Sequence, residues 1–566
     1  MRLPDPASRR SRASGSAVAL AGLGALALAA AGPVARPPQG PVLPAIVFVS
    51  RHAPAGADSG WIPGLGPHGR TLVTGGRLLV RERDGRVREL VPPSRLYDVS
   101  DPAVSPDARR VAFAAVERRG APWRIWIVDL EGRSLERALP DPPQPAASGQ
   151  RDADDFDPCW VDDTTLCFAS TRAGERAQYG GVPASNLYLA RLGGAAVRLT
   201  YERNGAEEPA MDFARGRIVF ARWWHNRWRA SDEPPGVTTD PTRAVPAETV
   251  SVWHAMEITP AGADERLACG APGDRTRGRL GAMAYQPALL ADGSIAGVYA
   301  ANPALVPGPG GLGVQRFAPR LGAGRRLAGA LVDPSARAGY GAPSGLAPPS
   351  ACSPAGLPDG RIVLAYDPGG RGDFGLYLMD AGASRAAGSG LERLLDLPGT
   401  LELDPAPVVA HGGVKRVTLP APGRPEGTPT SLAAALASPR RFRYLNLDVF
   451  AGGRARRGPP DGPPVTAGAR IRFFAALSRP AEEGGDTVAL VREAAVGPGG
   501  RVDQGGLPAE TPMFEQVVGP DGGVLRSAHG PAHVAGLNVG AAGAVVSCRG
   551  CHAGHSRMVR GRPPTP

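Results

Sequence analysis

The chain has one lysine, Lys415, in 566 residues, and aromatic side chains make up only 5% of it. Arginine therefore carries nearly all the positive charge behind the formal net charge of +11. That charge sits at the two ends. Residues 1–31 hold Arg2, Arg9, Arg10 and Arg12 against Asp5, and residues 522–566 hold Arg526, Arg549, Arg557, Arg560 and Arg562 with no acid. The body between them is close to neutral for its size. No basic stretch is interleaved with stacking aromatics, which argues against nucleic-acid binding. The basic C-terminus suits an acidic protein partner. Beyond the N-terminus no apolar run reaches bilayer length, so no stable membrane span is expected. A charged content of 21% and a hydrophobic content of 42% exclude a wholly disordered chain. The sequence also lacks a Gly-x-Ser-x-Gly elbow, which argues against a serine peptidase of the α/β-hydrolase kind.

Turn formers are abundant. The 77 Gly and 61 Pro together are nearly a quarter of the chain, a density that suits many short strands joined by turns. At the N-terminus, Arg9, Arg10 and Arg12 precede an Ala/Leu/Gly run from Ala17 to Ala31, with small residues at Ala29–Ala31 and Val34-Ala35. This is the three-part form of a secretory signal, placed at residues 1–35. The mature chain is then expected in the periplasm or secreted.

One pattern recurs six times between residues 44 and 410. A polar residue and a proline come first: Asp101-Pro102, Asp157-Pro158, Glu208-Pro209, Gln286-Pro287, Ser353-Pro354 and, in a degenerate last copy, Asp404-Pro405. Apolar strands follow, such as Val111-Ala112-Phe113, Leu166-Cys167-Phe168 and Ile218-Val219-Phe220. A third strand then comes in several copies, as at Ile125–Val128, Asn186–Leu189 and Gly375–Met379. The prolines stand 56, 51, 78, 67 and 51 residues apart, with loop insertions at Ser231–Glu248 and Ala301–Ser350 filling the longer gaps. A period near 50 with three or four strands per unit predicts a propeller, since one blade cannot bury both faces alone. Asp-Pro reads as a turn with a rigid strand entry, and Asp-Gly as the hairpin between the first two strands. The stretch 155–160, Asp-Phe-Asp-Pro-Cys-Trp, leading to 167–172, Cys-Phe-Ala-Ser-Thr-Arg, resembles TolB-like propeller repeats. The expected fold class is all-β: a six- or seven-bladed TolB-like propeller over 44–410, followed by a small β domain and a short C-terminal tail.

A Gly/Pro/Ala-rich linker is expected over 411–440 and the small β domain over 441–545. Alternating strands are predicted at Phe442–Phe450, Ile471–Leu477 and Val488–Val496, with a hairpin around Gly519–Gly523. The tail, 546–566, carries Cys548-Arg549-Gly550-Cys551-His552. Cys-x-x-Cys-His is the attachment pattern of a c-type haem. Two thiols at this spacing reach the two vinyl groups of one porphyrin, and the adjacent His presents its imidazole to the iron. One covalent haem c on Cys548, Cys551 and His552 is the leading cofactor reading. Tetrahedral zinc on Cys548, Cys551 and His555, with or without His552, is the alternative, and a Cys548–Cys551 disulfide is a third. His529 or His533, just before the motif, are the candidates for a distal ligand to a cytochrome-type iron. His555 and Met558 also lie near, and an open sixth position is equally compatible with the pattern. Only 14 residues follow His552, so any haem has to be covered by preceding residues or by another chain.

The propeller repeats, Pro508-Ala509-Glu510-Thr511-Pro512 before a strand, and Ser547–His552 near the end together resemble bacterial proteins with a hydrazine synthase alpha subunit-like middle domain. The resemblance spans roughly residues 45–560. It implies a scaffold propeller and haem c on Cys548, Cys551 and His552. It does not carry the synthase activity, because hydrazine synthase has further haem sites and partner subunits. The Cys548–His552 motif behind an export signal points to electron transfer, or a place in a haem-dependent oxidoreductase complex with a redox partner. A periplasmic scaffold that binds a protein or polymer, with a structural zinc site, is the other class of function.

Among the remaining residues, Cys159 and Cys167 are expected across a hairpin, either as a disulfide or as buried thiols, and Cys269 with Cys352 across blades. Trp223, Trp224, His225 and Trp228 read as blade core plus a capping loop rather than a ligand platform. The acidic residues before the prolines read as turn and strand-entry residues rather than a metal site.

Overall fold

In the computed structural model the described residues are 42–142, 152–178, 181–226, 252–269, 283–300, 305, 311–318, 324–329, 345–382, 390–422, 428–451, 462–478, 486–527, 530–532, 534 and 536–550. The signal-peptide reading at 1–35 lies outside them.

Six four-stranded antiparallel sheets are arranged in sequence order. Their innermost strands are Asp98–Val104, Asp155–Asp162, Ala206–Asp212, Tyr285–Leu289, Ser350–Gly356 and Leu401–Pro407. Each of these packs against the next, and Leu401–Pro407 meets Asp98–Val104, so the ring closes as a six-bladed propeller. Closure uses the two ends of the repeat region. Leu401–Pro407 pairs with Ile46–Arg51, the first strand of the chain, and completes a blade with Gly76–Arg81 and Val87–Glu89. The pair Asp404-Pro405 therefore opens no degenerate copy; it is the inner strand of the first blade.

The middle strands are sandwiched between neighbouring blades, and their sequences show it. Arg217–Trp224 and Thr165–Ser170 are buried at every position. Small residues such as Ala112, Ala114 and Ala169 let adjacent blades approach closely. Outer strands are two or three residues long where they face solvent, as at Val197–Arg198, Arg266–Leu267 and Leu135–Arg137. Short, Arg-bearing edges leave little ladder for another chain to join. Asp292-Gly293 and Asp359-Gly360 form the expected hairpins, with Gly293 at φ 78° and Gly360 at φ 87°.

A second lobe is built from two three-stranded sheets. In one, Arg441–Asn446 lies between Val502–Pro508 and Val545–Cys548; in the other, Arg470–Leu477 lies between Thr487–Ala495 and Met513–Val518. Side-chain alternation along Arg470–Leu477 divides the lobe. Ile471 and Phe473 face Phe442, Tyr444 and Val517 in the lobe's own core, whereas Phe474 and Ala476 join Phe514, Val534 and the propeller's Trp223 and Trp224 in a shared core. The strand beginning near Phe442 stops at Asn446, not Phe450, because Asn446 Oδ1 accepts from Asp448 N (3.1 Å) and turns the chain. The linker is not featureless either. Ser431 Oγ accepts from Ala434 N (3.1 Å) and caps a short helix, Leu432–Ala437.

Candidate functional site

The channel side is built from the repeated polar-Pro pairs. They do not precede the strands as turns; each lies inside an innermost strand, at a β-bulge. Asp101, Asp157, Glu208, Gln286, Ser353 and Asp404 all have positive φ, between 46° and 54°. The ladder register shifts at each of them. Proline, with no N–H to donate, is tolerated where a bulge already breaks the ladder. The left-handed backbone turns the preceding side chain toward the next blade. Glu208 N donates to Asp157 Oδ2 (2.9 Å), Ser353 N to Gln286 Oε1 (3.0 Å), and Ser353 Oγ to Asp404 Oδ1 (2.7 Å). The six residues and their prolines line a central cavity of about 240 Å³.

Four of those six carry carboxyl groups. Burial, and then the neighbouring carboxylates, raise all of them: Asp157 to about 6, Asp404 to about 7, and Asp101 and Glu208 well above the ordinary range. Two arginines oppose this from above. Arg51, fully buried, binds Asp98 through Nε (3.1 Å) and Nη2 (2.9 Å), and Arg70 pairs with Glu207 and donates to Ser185 Oγ (3.3 Å). The segment between the first two strands of the first blade brings Arg70 there and buries Ile62 and Leu65 in the main core. At Gly64, φ 87°, a Cβ would stand 3.5 Å from Asp404 Oδ2, so this segment closes over the ring.

The second region surrounds Cys548. This residue ends the strand Val545–Cys548, which runs parallel to Arg441–Asn446 with Asn446 opposite Cys548. Cys548 is 3% exposed and is a free thiol. Its S–H donates to Tyr444 Oη (2.9 Å), and burial pushes the thiol well above its ordinary pKa. Glu515, 2% exposed, bears on the same thiol electrostatically. Asn538 Nδ2 donates to its Oε2 (3.0 Å), and burial raises Glu515 to about 8, so it is mostly protonated at neutral pH. The polar groups around Cys548 are thus neutral and mutually hydrogen-bonded. Cys551, His552, His529 and His533, like His555 and Met558, lie outside the described residues. Among the described residues, no group of three or more His, Cys, Asp or Glu is arranged to hold a metal ion.

The described cysteines form no disulfide. Cys159 and Cys167 are register partners across their hairpin, yet both remain buried free thiols, as do Cys269 and Cys352. Burial raises Cys159 to about 12, which keeps it protonated and unreactive. Trp223 stacks on Trp253 (5.1 Å between centroids), and Trp253 meets Tyr285 edge-on (4.9 Å) in the blade core. Trp224 faces the second lobe, where a Cβ on Gly536 would stand 2.1 Å from its ring. Trp228 is outside the described residues. Polar contacts across the same junction escaped the sequence reading: Arg203 pairs with Asp486 and donates to Ser478 Oγ (3.3 Å), and Thr428 N donates to Glu175. Their partners are more than 250 residues apart in sequence, and no local signal marks them.

No family model and no curated protein sequence matches this chain. Solved structures do. Hydrazine synthase from Kuenenia stuttgartiensis is similar with a TM-score of 0.62 at 16% identity, over 92% of this chain and 70% of that one. TolB from Acinetobacter baumannii is matched with a TM-score of 0.37 at 15% identity, over 65% of this chain and 67% of that one. A TolB-type structure from Agrobacterium tumefaciens is matched with a TM-score of 0.32 at 12% identity, over 64% and 93%. At these identities the likeness to hydrazine synthase is one of fold, and it extends through the propeller and the second lobe together.

Proposed function

We propose that this chain is an exported propeller protein that would carry one covalent haem c on Cys548 and Cys551, with His552 as a ligand to its iron. The observation that carries the reading is the Cys548–His552 motif, whose first thiol stands free at a strand end beside neutral hydrogen-bonding side chains. The donor set fits the group: a thiol committed to no disulfide, a second thiol three residues on, and an imidazole next to it. When bound, such a haem supplies a one-electron carrier. The residues of this chain do the rest. Cys548 and Cys551 would tether the group, His552 would ligate its iron, and His529 or His533 is the proposed second ligand. Electron transfer, or a part in a haem-dependent oxidoreductase assembly with a redox partner, is the proposed role. The likeness to a hydrazine synthase is one of fold and assigns neither that reaction nor a cofactor to this chain.

The test is a pyridine haemochrome spectrum of the exported protein, made alongside haem-maturation machinery, with and without Cys548→Ala and Cys551→Ala. A c-type spectrum that vanishes in the double variant supports the reading. Absence of haem together with stoichiometric zinc overturns it in favour of a scaffold with a structural site.

A further inference from the structure

The first three residues of the attachment motif are held by one short stretch, Tyr444–Asp448, about a hundred residues upstream. Strand pairing places Asn446 opposite Cys548. Beyond the strand ends the two segments stay joined: Leu447 N donates to Cys548 O (3.0 Å) and Gly550 N to Asp448 O (2.8 Å). Asn446, fully buried, adds a side chain to this clamp. Its Nδ2 donates to Gly550 O (3.2 Å) and to Tyr444 Oη (3.2 Å), while its Oδ1 accepts from Asp448 N. Gly550 has φ 89°, a conformation that side-chain-bearing residues resist, so the turn leaves the clamp at a defined angle. Tyr444, 1% exposed and edge-on to Phe473 (5.1 Å), brings its hydroxyl to the Cys548 sulfur.

This arrangement matters because two thiols and an imidazole must meet one planar group together. Each residue held in place beforehand lowers the ordering cost of that encounter. An amide suits position 446 because it donates and accepts at once without charge. We infer that Asn446 and Tyr444 are positioning residues for covalent tetrapyrrole attachment: Asn446 sets the Gly550 turn, next in sequence to Cys551 and His552, and Tyr444 sets the Cys548 sulfur. The inference rests on the haem c reading above. Attachment adds the Cys548 S–H across a vinyl group. A C–S bond forms, the vinyl π bond breaks, and the thiol hydrogen goes to the other vinyl carbon, with no net gain or loss of electrons. Once that hydrogen is transferred, the Tyr444 hydroxyl is the donor left to the contact with sulfur.

The test compares the full exported chain with Asn446→Asp and Tyr444→Phe, all produced with haem-maturation machinery. Asn446→Asp keeps the acceptor toward Asp448 N but loses both donors, and it should lower covalent haem per folded chain by roughly tenfold. Tyr444→Phe keeps the ring packing but loses the hydroxyl at the Cys548 sulfur; it should lower covalent haem per folded chain by a few-fold and shift the midpoint potential negative. Thermal unfolding of both substitutions in a Cys548→Ala/Cys551→Ala background separates positioning from stability. A loading defect matched there by an equal loss of folded protein overturns the positioning role. Wild-type loading and potential in both variants overturn it as well. Should Asn446→Asp fail to fold, the potential of Tyr444→Phe decides. A wild-type chain without covalent haem overturns the haem reading itself, and this inference with it.

Discussion

Buried polar groups are balanced differently in the two halves of the molecule. In the propeller, charge meets charge: Arg51 with Asp98, Arg70 with Glu207, Arg172 with Asp155 and Arg198 with Glu175, every carboxylate in this set at most 5% exposed. Around Cys548 the groups are neutral instead: a thiol, a phenol, two amides and a largely protonated Glu515. A closed ring can supply an opposing arginine from the next blade or from the segment above it. At Cys548 the described partners, Tyr444, Asn446 and the Gly550 carbonyl, satisfy one another without charge. Fixed charge pairs hold a scaffold in place, and a neutral, hydrogen-bonded environment keeps the buried Cys548 thiol protonated.

The comparison can be broken most severely at Arg51. Arg51→Ala leaves Asp98 buried without its ion partner, and it should cost about 3–5 kcal/mol of unfolding free energy by denaturant titration. A loss below about 1 kcal/mol would mean that the backbone donors Thr74 N, Gly75 N and Val99 N hold Asp98 by themselves.

The pH profile sharpens the contrast next. A carboxyl raised by folding holds its proton in the native state after the unfolded chain has released it. Its stabilisation is complete below the unfolded value near 4.5 and is lost as pH rises through the folded value. For Glu515 that window runs from about 4.5 to about 8. Glu515→Gln should flatten the stability loss there by at most about 1.4 kcal/mol per pH unit. Part of the remaining slope comes from Asp157 and Asp404, whose contributions should fade above about pH 6 and about pH 7. A variant with the wild-type slope would show that Glu515 is ionised in the fold.

Gly536→Ala addresses the seam between the halves. The added methyl meets the Trp224 ring and should cost about 1–3 kcal/mol. Most of that cost should disappear in a Trp224→Ala background, as a double-mutant cycle would report. An additive cycle would place the strain elsewhere. The smallest effect is expected at Cys159 and Cys167: neither should react with a thiol reagent in the native state, and reduction should leave the protein's mass and unfolding midpoint unchanged. A mass gain of two hydrogens on reduction would reveal a disulfide.

The propeller was legible because its information is written six times. Each copy places a polar residue before proline, and the repeats at Asp157, Glu208 and Ser353 confirm one another even though the residues differ. The chemical meaning of that pair was not legible. A bulge with positive φ leaves no mark distinct from a turn until the partner strand shows where the register shifts. Asp404 was misread for a related reason: its blade begins at Ile46, and ring closure joins the two ends of the repeat region. Around Cys548 the motif itself was readable, since spacing along five residues is local. Tyr444 and Asn446 were not, because each occurs once and reaches the motif only through a parallel strand pairing.

The sequence alone determined the all-β class, the repeat that builds the propeller, and the Cys-x-x-Cys-His pattern at the end. Each of these is carried by residue type and short-range spacing. Only the tertiary structure decided that there are six blades, that four carboxyl groups share one central cavity, that Trp224 seats the second lobe, and that Asn446 clamps Gly550. Those features depend on which distant strands become neighbours, and burial then sets the protonation and hydrogen bonding of whatever side chains meet there.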